Sequence, residues 1–257
     1  MGIPISFPYT FFLLFIRLLS FVSIAPIFSQ RSFPNTAKIG LAALVAFVLA
    51  PLSPVQSLPE SDLRFFTLVV QEIMVGLLLG FAVQLPILAI AMIGQLVASS
   101  MGLSYATSIS PVFGDMSPPV GQFYQQLAVL IFILLRADHV VLLGLKQMLD
   151  MVPPGFMLAE VMQNAGDVLV GRLVYFTNQL WLISLQLALP IVGAVLLADL
   201  ALVLISRAMP RMNAFSLSLP LKVLMGLLVS TFAFPYLWPQ LVQVLDRSGQ
   251  QMLMLFR

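Results

Sequence analysis

Residues 73–114 read IMVGLLLGFAVQLPILAIAMIGQLVASSMGLSYATSISPVFG and contain no charged side chain. About 20 apolar residues in a helix cross the roughly 30 Å hydrocarbon core of a bilayer, so this stretch is long enough for two passes. Four further charge-free runs cover residues 39–59, 116–135, 173–198 and 223–245. The chain is therefore predicted to be an all-α, multi-helix membrane protein.

The composition of the 257 residues supports this class. Hydrophobic residues make up 60% of the chain and charged residues 9%, against roughly 45–50% and about 25% in a soluble domain. Twelve Lys and Arg against ten acids provide no basic patch for nucleic acid. There is no cysteine, which excludes disulfides and thiolate metal sites. We expect one domain, residues 1–257, and no cleaved leader, since the first residues lack a basic n-region.

Hydropathy predicts six helical elements. Pro86 and Pro190 fall inside two of them, where a missing backbone donor is expected to break or kink the helix. The expected architecture is a set of long, Pro-kinked helical hairpins. The predicted elements cover residues 8–27, 37–52, 65–101, 120–149, 168–208 and 219–245.

Small residues recur at helical spacing in the third element. Gly76 and Gly80 form a G-x-x-x-G pair, and Gly94 begins a row continued by Ala98 and Gly102. Helices in an apolar medium associate through close backbone packing over such residues. The third element is thus predicted to be a packing surface, either within this chain or toward other subunits.

Isolated polar residues inside the apolar runs are the sharpest signal. A charge at bilayer depth costs at least about 2.5–3.5 kcal/mol, so Arg17, Glu72 and Asp199 are expected to face protein, water or one another. Glu72 and Asp199 are candidate partners of Arg17. A structural pair or a subunit contact is favoured over a proton relay, which usually needs several acids or histidines in register. The amides in these runs are Gln84, Gln95, Gln122, Gln125, Gln126, Asn178, Gln179 and Gln186.

Motifs of enzymes are missing from the sequence. It contains no G-x-x-x-x-G-K-[ST], G-x-G-x-x-G or G-x-S-x-G, the patterns of phosphate-binding loops, dinucleotide sites and hydrolase nucleophiles. His139 is the only histidine, so a triad or zinc site would need distant carboxylates to complete it. We expect no catalysis, no cofactor and no metal.

Four separated blocks carry a resemblance to a known family. The strongest is ADLALVLISRAMPRMNAFSLSLPLK at residues 198–222, which closely resembles the signature of the FliR family of flagellar export-gate subunits and their SctT-type injectisome relatives. Arg211 and Ser218 depart from the usual Gln and Gly, whereas NAFSL at residues 213–217 resembles the flagellar branch. The other blocks are FIR at 15–17, RSFP at 31–34 with KIGLA at 38–42, and QEIMVGL at 71–77 with GQ at 94–95 and MGLS at 101–104.

The resemblance implies a function and a set of partners. FliR-like subunits join FliP-like and FliQ-like subunits in a ring-like helical assembly, close to FlhB-like and FlhA-like components. That assembly is located at the bacterial inner membrane in the flagellar basal body, in contact with lipid, and unfolded flagellar proteins pass through its pore. Most of the assembly sits above the membrane plane, so the six elements need not each span a bilayer.

The segment between the third and fourth elements is predicted to be a loop, because small and turn-forming residues run through it. The resemblance implies that a loop of the subunit plugs the closed pore, and irregular backbone at membrane depth is tolerated where it lines a cavity. We expect this loop to be the plug, the alternative being an ordinary hairpin connection. The residues concerned are Tyr105, Ile109, Pro111, Val112, Phe113 and Met116.

Two other classes stay open on the residues alone. Proline-broken helices at Pro86 and Pro190 together with isolated intramembrane charges fit a secondary transporter, although no convincing internal repeat is present. A membrane-embedded enzyme is the third possibility and lacks a motif.

Overall fold

The computed structural model describes residues 6–26, 28, 33–53, 61–104, 118–155, 158–208 and 214–255. This part of the chain contains α-helices, one short 3-10 helix at Ala50–Leu52 and no strand, which confirms the all-α class. The helices are α1 Ser6–Ile24, α2 Asn35–Leu49, α3 Asp62–Ser100, α4 Pro119–Leu134, α5 Ala137–Met151, α6 Leu158–Ala208 and α7 Ala214–Leu255.

Five of these helices are long and apolar enough to cross a membrane. Four of them overlap charge-free runs, and the fifth, α1, contains Arg17. The qualifying stretches are Phe7–Ile24, Asn35–Leu52, Asp62–Ser100, Val170–Ala208 and Ser218–Asp246, and α4 is a shorter apolar helix. With 39, 51 and 42 residues, α3, α6 and α7 are each much longer than the about 20 residues that a bilayer requires.

The long helices continue through their prolines. Pro86 lies inside α3, Pro190 inside α6, and Pro235 inside α7. Of the break or kink expected at Pro86, a break does not occur, because the helix continues on both sides of the one missing backbone donor. The expectation that α3 is one element ending near residue 101 is confirmed.

The predicted fourth element, residues 120–149, is two helices. α4 ends at Leu134 and α5 begins at Ala137, because Arg136 between them has a φ of 51°. This left-handed conformation is costly for a residue with a Cβ and cannot continue a right-handed helix. The charge-free pattern ends at Leu135 and gives no further signal that the element is divided.

The chain divides into two compact units. The first comprises Met1–Leu85, Arg136–Phe176 and Arg247–Arg257, and the second Pro86–Leu135 and Thr177–Asp246. This grouping of contacts does not test the prediction of one domain, which stays a prediction.

In the first unit, α1 packs on α2. Leu14, Leu18 and Phe21 place a buried stripe on α1 at helical spacing, as expected for a helix with one face in a core. On α2 the fully buried residues are Ala42 and Ala46, whose small side chains permit close helix contact.

In the second unit the buried residues again recur every three or four positions. The second half of α3 buries Ile87, Ile90, Ile93 and Val97; α4 buries Tyr124, Ala128 and Ile131; α6 buries Leu180, Leu187, Ile191 and Val195; and α7 buries Leu237 and Leu241. Each helix thus contributes one face to the core.

Candidate functional site

Arg17 on α1 and Glu72 on α3 form a buried ion pair. Nε of Arg17 lies 2.5 Å from Oε2 of Glu72, and the two side chains are 2% and 3% exposed. Removing either charge from water alone costs several kcal/mol, so each residue makes burial of the other tolerable. The structure thus brings together two of the three charges that the sequence singled out.

The pair also binds the connection between α5 and α6. Nη1 of Arg17 donates to the carbonyl oxygen of Val152 at 2.8 Å, and the backbone N–H of Gly155 donates to Oε1 of Glu72 at 3.1 Å. We call residues 152–155 the α5–α6 turn. Sequence reasoning missed it, because its contacts come from the backbone; the signal was the Val-Pro-Pro-Gly sequence, which forces a turn.

Gly76 and Gly80 lie where α3 meets α1. A Cβ built on Gly76 would stand 2.9 Å from Cβ of Ser20 and would clash with the carbonyl oxygen of Arg17, and one on Gly80 would stand 2.9 Å from the carbonyl oxygen of Phe21. Real side chains do not approach this closely. The G-x-x-x-G pair therefore packs two helices of the same chain, one residue type permitting the contact that all others would block.

Gly94 and Gln95 belong to the second unit, where α3 meets α4. A Cβ on Gly94 would lie 2.8 Å from Cβ of Tyr124, and one on Gly121 would lie 2.6 Å from Nε2 of Gln95. Each helix thus has a glycine at the point where a side chain of the other helix packs closely against it. Gly102, with a φ of 80°, follows the end of α3 in the conformation typical of helix termination.

Asp199 is paired with Lys222 and not with Arg17. Nζ of Lys222 on α7 lies 2.8 Å from Oδ1 of Asp199 on α6, with the side chains 24% and 33% exposed. This pair is far less desolvated than Arg17 with Glu72, so its net stabilisation is small, about 0–1 kcal/mol. It links the ends of α6 and α7 on either side of residues 209–213.

Ser184 joins helices in a way that the sequence analysis did not anticipate. Its hydroxyl, on a residue 1% exposed, lies 2.8 Å from the carbonyl oxygen of Ala89 on α3 and 2.7 Å from that of Leu180 in its own helix. Hydroxyls commonly bond across helices in apolar surroundings. The available signal was a lone serine in the charge-free run 173–198.

A cavity of about 500 Å³ lies between α4 and α7 in the second unit. Its lining is mostly apolar, with the hydroxyl-bearing residues Tyr124, Ser230 and Thr231 among the side chains. A lining of this kind suits an acyl chain or a bulky apolar side chain more than a charged ligand.

The predicted plug residues 105–116 lie outside the described residues. In the part of the chain that is described, no group of three or more His, Asp or Glu is placed to hold a metal ion. Four of the polar side chains that the sequence singled out, namely Arg17, Glu72, Gln95 and Asp199, lie at contacts between helices. Four of the amides in the apolar runs are exposed instead: Gln125, Gln126, Asn178 and Gln186.

These features define a helical membrane protein whose marked residues join helices. Comparison with known proteins agrees in detail. Residues 9–248 match the family described as bacterial export proteins, family 1. The chain is 32% identical over 219 residues to the flagellar biosynthetic protein FliR of Bacillus subtilis (strain 168), covering 83% of this chain and 81% of that protein.

Two further relatives extend the comparison. The chain is 30% identical over 226 residues to the flagellar biosynthetic protein FliR of Escherichia coli (strain K12), covering 87% and 84% of the two chains. It is 28% identical over 227 residues to the surface presentation of antigens protein SpaR of Salmonella typhimurium, covering 86% and 83%. The chain belongs to the FliR family of bacterial export proteins, as the resemblance predicted.

Proposed function

We propose that the chain is a core, non-enzymatic subunit of a flagellar type III export gate. In this gate it forms, with FliP-like and FliQ-like subunits, the pore through which unfolded flagellar proteins leave the cell. FlhB-like and FlhA-like components adjoin this ring-like assembly, which lies in the inner membrane at the flagellar basal body. The observation that carries the proposal is the family match over residues 9–248.

The uneven burial of the helices supports a role as one subunit of a larger assembly. Within an 18-residue apolar window of each helix, 61% of the residues of α3 are buried in the chain, against 22% for α6 and 11% for α7. Large apolar side chains such as Leu197, Leu204 and Phe232 are 66% or more exposed. These surfaces need a cover, which lipid, neighbouring subunits or both provide.

Exposed amides favour neighbouring protein over lipid for part of this surface. Gln125 and Gln126 on α4, and Asn178 and Gln186 on α6, are exposed although their helices are otherwise apolar. An amide facing hydrocarbon loses its hydrogen bonds to water at a cost of several kcal/mol. Partner helices or a water-filled pore satisfy these groups. Arg17, Glu72 and Asp199 serve the same assembly by fixing helix packing.

We propose that residues 105–118 are the plug. They contain apolar Ile109, Val112 and Phe113 among small residues, and a single charge, Asp115, a composition suited to filling a narrow pore and leaving it again. Deleting residues 107–117 is expected to raise ion leakage through the assembled gate without preventing assembly. Unchanged leakage with a normal complex would contradict the plug.

An injectisome gate is the second candidate function. The family resemblance includes SctT-type injectisome subunits, and SpaR, which is similar over 86% of this chain, is not named as a flagellar protein. The flagellar relatives at 30–32% identity favour the flagellar gate. The secondary transporter loses its main support, because α3 and α6 continue through Pro86 and Pro190.

The test is deletion of the gene in the source bacterium, with hook and filament proteins assayed in the medium. The flagellar gate predicts that motility and export of these proteins are lost and that the intact gene restores both. Normal motility with loss of another set of secreted proteins would identify the injectisome gate. Normal secretion of every protein would contradict both functions.

A further inference from the structure

Different atoms of the Arg17–Glu72 pair make two sets of contacts, one within the pair and one with the α5–α6 turn. Nε of Arg17 and Oε2 of Glu72 bind each other, whereas Nη1 and Oε1 bind the α5–α6 turn. We propose that the pair is a latch that positions the α5–α6 turn on α1 and α3, with Arg17 and Glu72 as positioning residues. The latch concerns contacts within this chain and does not rest on the proposed export function.

The α5–α6 turn offers few backbone donors. Pro153 and Pro154 have no N–H, so after Val152 the first backbone donor is Gly155. Gly155 has a φ of 84°, which residues with a side chain rarely adopt. The ion pair binds this N–H and the carbonyl oxygen of Val152.

Close packing of α1 on α3 does not require the ion pair. Gly76 and Gly80 already bring the two helix backbones together one and two turns further along α3. A buried ion pair gives little net stability compared with apolar residues of similar size, whereas it is strict about geometry. The feature that only the pair supplies is a donor and an acceptor at fixed positions for the turn.

The latch has a direction, which distinguishes it from simple charge pairing. The carbonyl of Val152 needs a donor at position 17, and the N–H of Gly155 needs an acceptor at position 72. Exchanging the two residues keeps the ion pair but sets acceptor against acceptor and donor against donor at the turn. Charge pairing alone would survive this exchange, and the latch would not.

Cysteine labelling reads out the turn, since the natural chain has no cysteine. Leu149→Cys places a thiol on the last turns of α5, where the native side chain is 7% exposed, and Leu79→Cys places one on α3, where it is fully buried. Each is labelled with a membrane-permeant maleimide in the full-length chain, in native membranes with its partners. Glu72→Gln is then added, which removes the charge and keeps the shape.

The latch predicts that Glu72→Gln raises the labelling rate at position 149 about tenfold while position 79 stays protected, because opening is local. Asp199→Asn, which breaks the ion pair between Asp199 and Lys222, is the matched control and should leave the labelling rates at positions 149 and 79 unchanged. A change of less than twofold at position 149 would overturn the latch. An equal rise at both positions would also overturn it, since the pair would then hold the whole fold.

The exchanged variant Arg17→Glu with Glu72→Arg completes the test. The latch predicts that position 149 stays as reactive as in Glu72→Gln. Restored protection at position 149 would overturn the proposal, because mutual attraction of the charges would then suffice. If the exchanged chain does not accumulate, the Glu72→Gln labelling decides alone.

Discussion

Replacing Gly76 by alanine adds one methyl group to the face of α3 that lies on α1. In an open helix this change stabilises by about 1 kcal/mol, because glycine is a poor helix former. At Gly76 the new methyl would clash with the carbonyl oxygen of Arg17 and lie 2.9 Å from Cβ of Ser20. The clash is with backbone, which cannot rotate away as a flexible side chain would.

The size of the effect follows from these two opposing contributions. Overpacking a tight contact typically costs about 1–3 kcal/mol, and the upper end applies where backbone must move. Subtracting the gain in helix propensity leaves a net loss of about 1–2 kcal/mol, which is a factor of about 5–30 in the local opening equilibrium. Gly76→Ala is therefore expected to loosen α1.

Hydrogen exchange with mass spectrometry measures this opening in the purified full-length chain. Exchange in peptides from α1 should rise about 5–30-fold in Gly76→Ala, in the regime where exchange follows the opening equilibrium. Gly40→Ala on α2 is the matched control, because a Cβ there meets nothing within 4 Å.

The prediction is refuted if hydrogen exchange in the α1 peptides of Gly76→Ala is as slow as in the unmodified chain, or slower, while Gly40→Ala leaves that exchange unchanged. Such a result would mean that α1 does not approach α3 over Gly76. A rise in exchange in both variants would instead mean that alanine in α2 is disruptive, and the propensity argument would be wrong.

Three further changes are tested by unfolding the purified chain. Tyr9→Phe should raise the free energy of unfolding by about 1 kcal/mol, because the buried hydroxyl has no hydrogen-bond partner among the described residues; a decrease would contradict this. Ser184→Ala should lower it by about 0.5–1.5 kcal/mol, since the bond to the Ala89 carbonyl is lost, and no change would refute the bond. Asp199→Asn should cost at most about 1 kcal/mol, because its pair with Lys222 is partly exposed; a loss above about 3 kcal/mol would indicate a buried role.

The helices could be predicted from the sequence because long apolar stretches without charge have few alternatives. The predicted elements indicate most of α3, α6 and α7, and their ends agree within about five residues except at the start of α6 and the end of α7, each missed by ten residues. The division at Arg136 could not be predicted, because a non-glycine residue with positive φ has no compositional signal. Of the break or kink expected at the prolines, a break does not occur at Pro86 or Pro190, since one missing donor does not end a helix held on both sides by packing.

The candidate site was partly predictable for a different reason. The cost of an intramembrane charge marks Arg17, Glu72 and Asp199 from the sequence alone. Which acid pairs with Arg17 depends on how the helices are placed in space, and the structure assigns Glu72 to it and Lys222 to Asp199. The contacts to the α5–α6 turn are made by backbone groups, which no side chain marks in the sequence, so only the structure locates them.

The central claim is that this chain is one subunit of a hetero-oligomeric export gate. Native mass spectrometry of the tagged chain, extracted in mild detergent together with its genomic neighbours, tests that claim most directly. The account predicts one large complex that contains this chain and several copies of other small helical proteins. A stable monomer or homodimer that binds a small solute by itself would contradict it and favour a transporter.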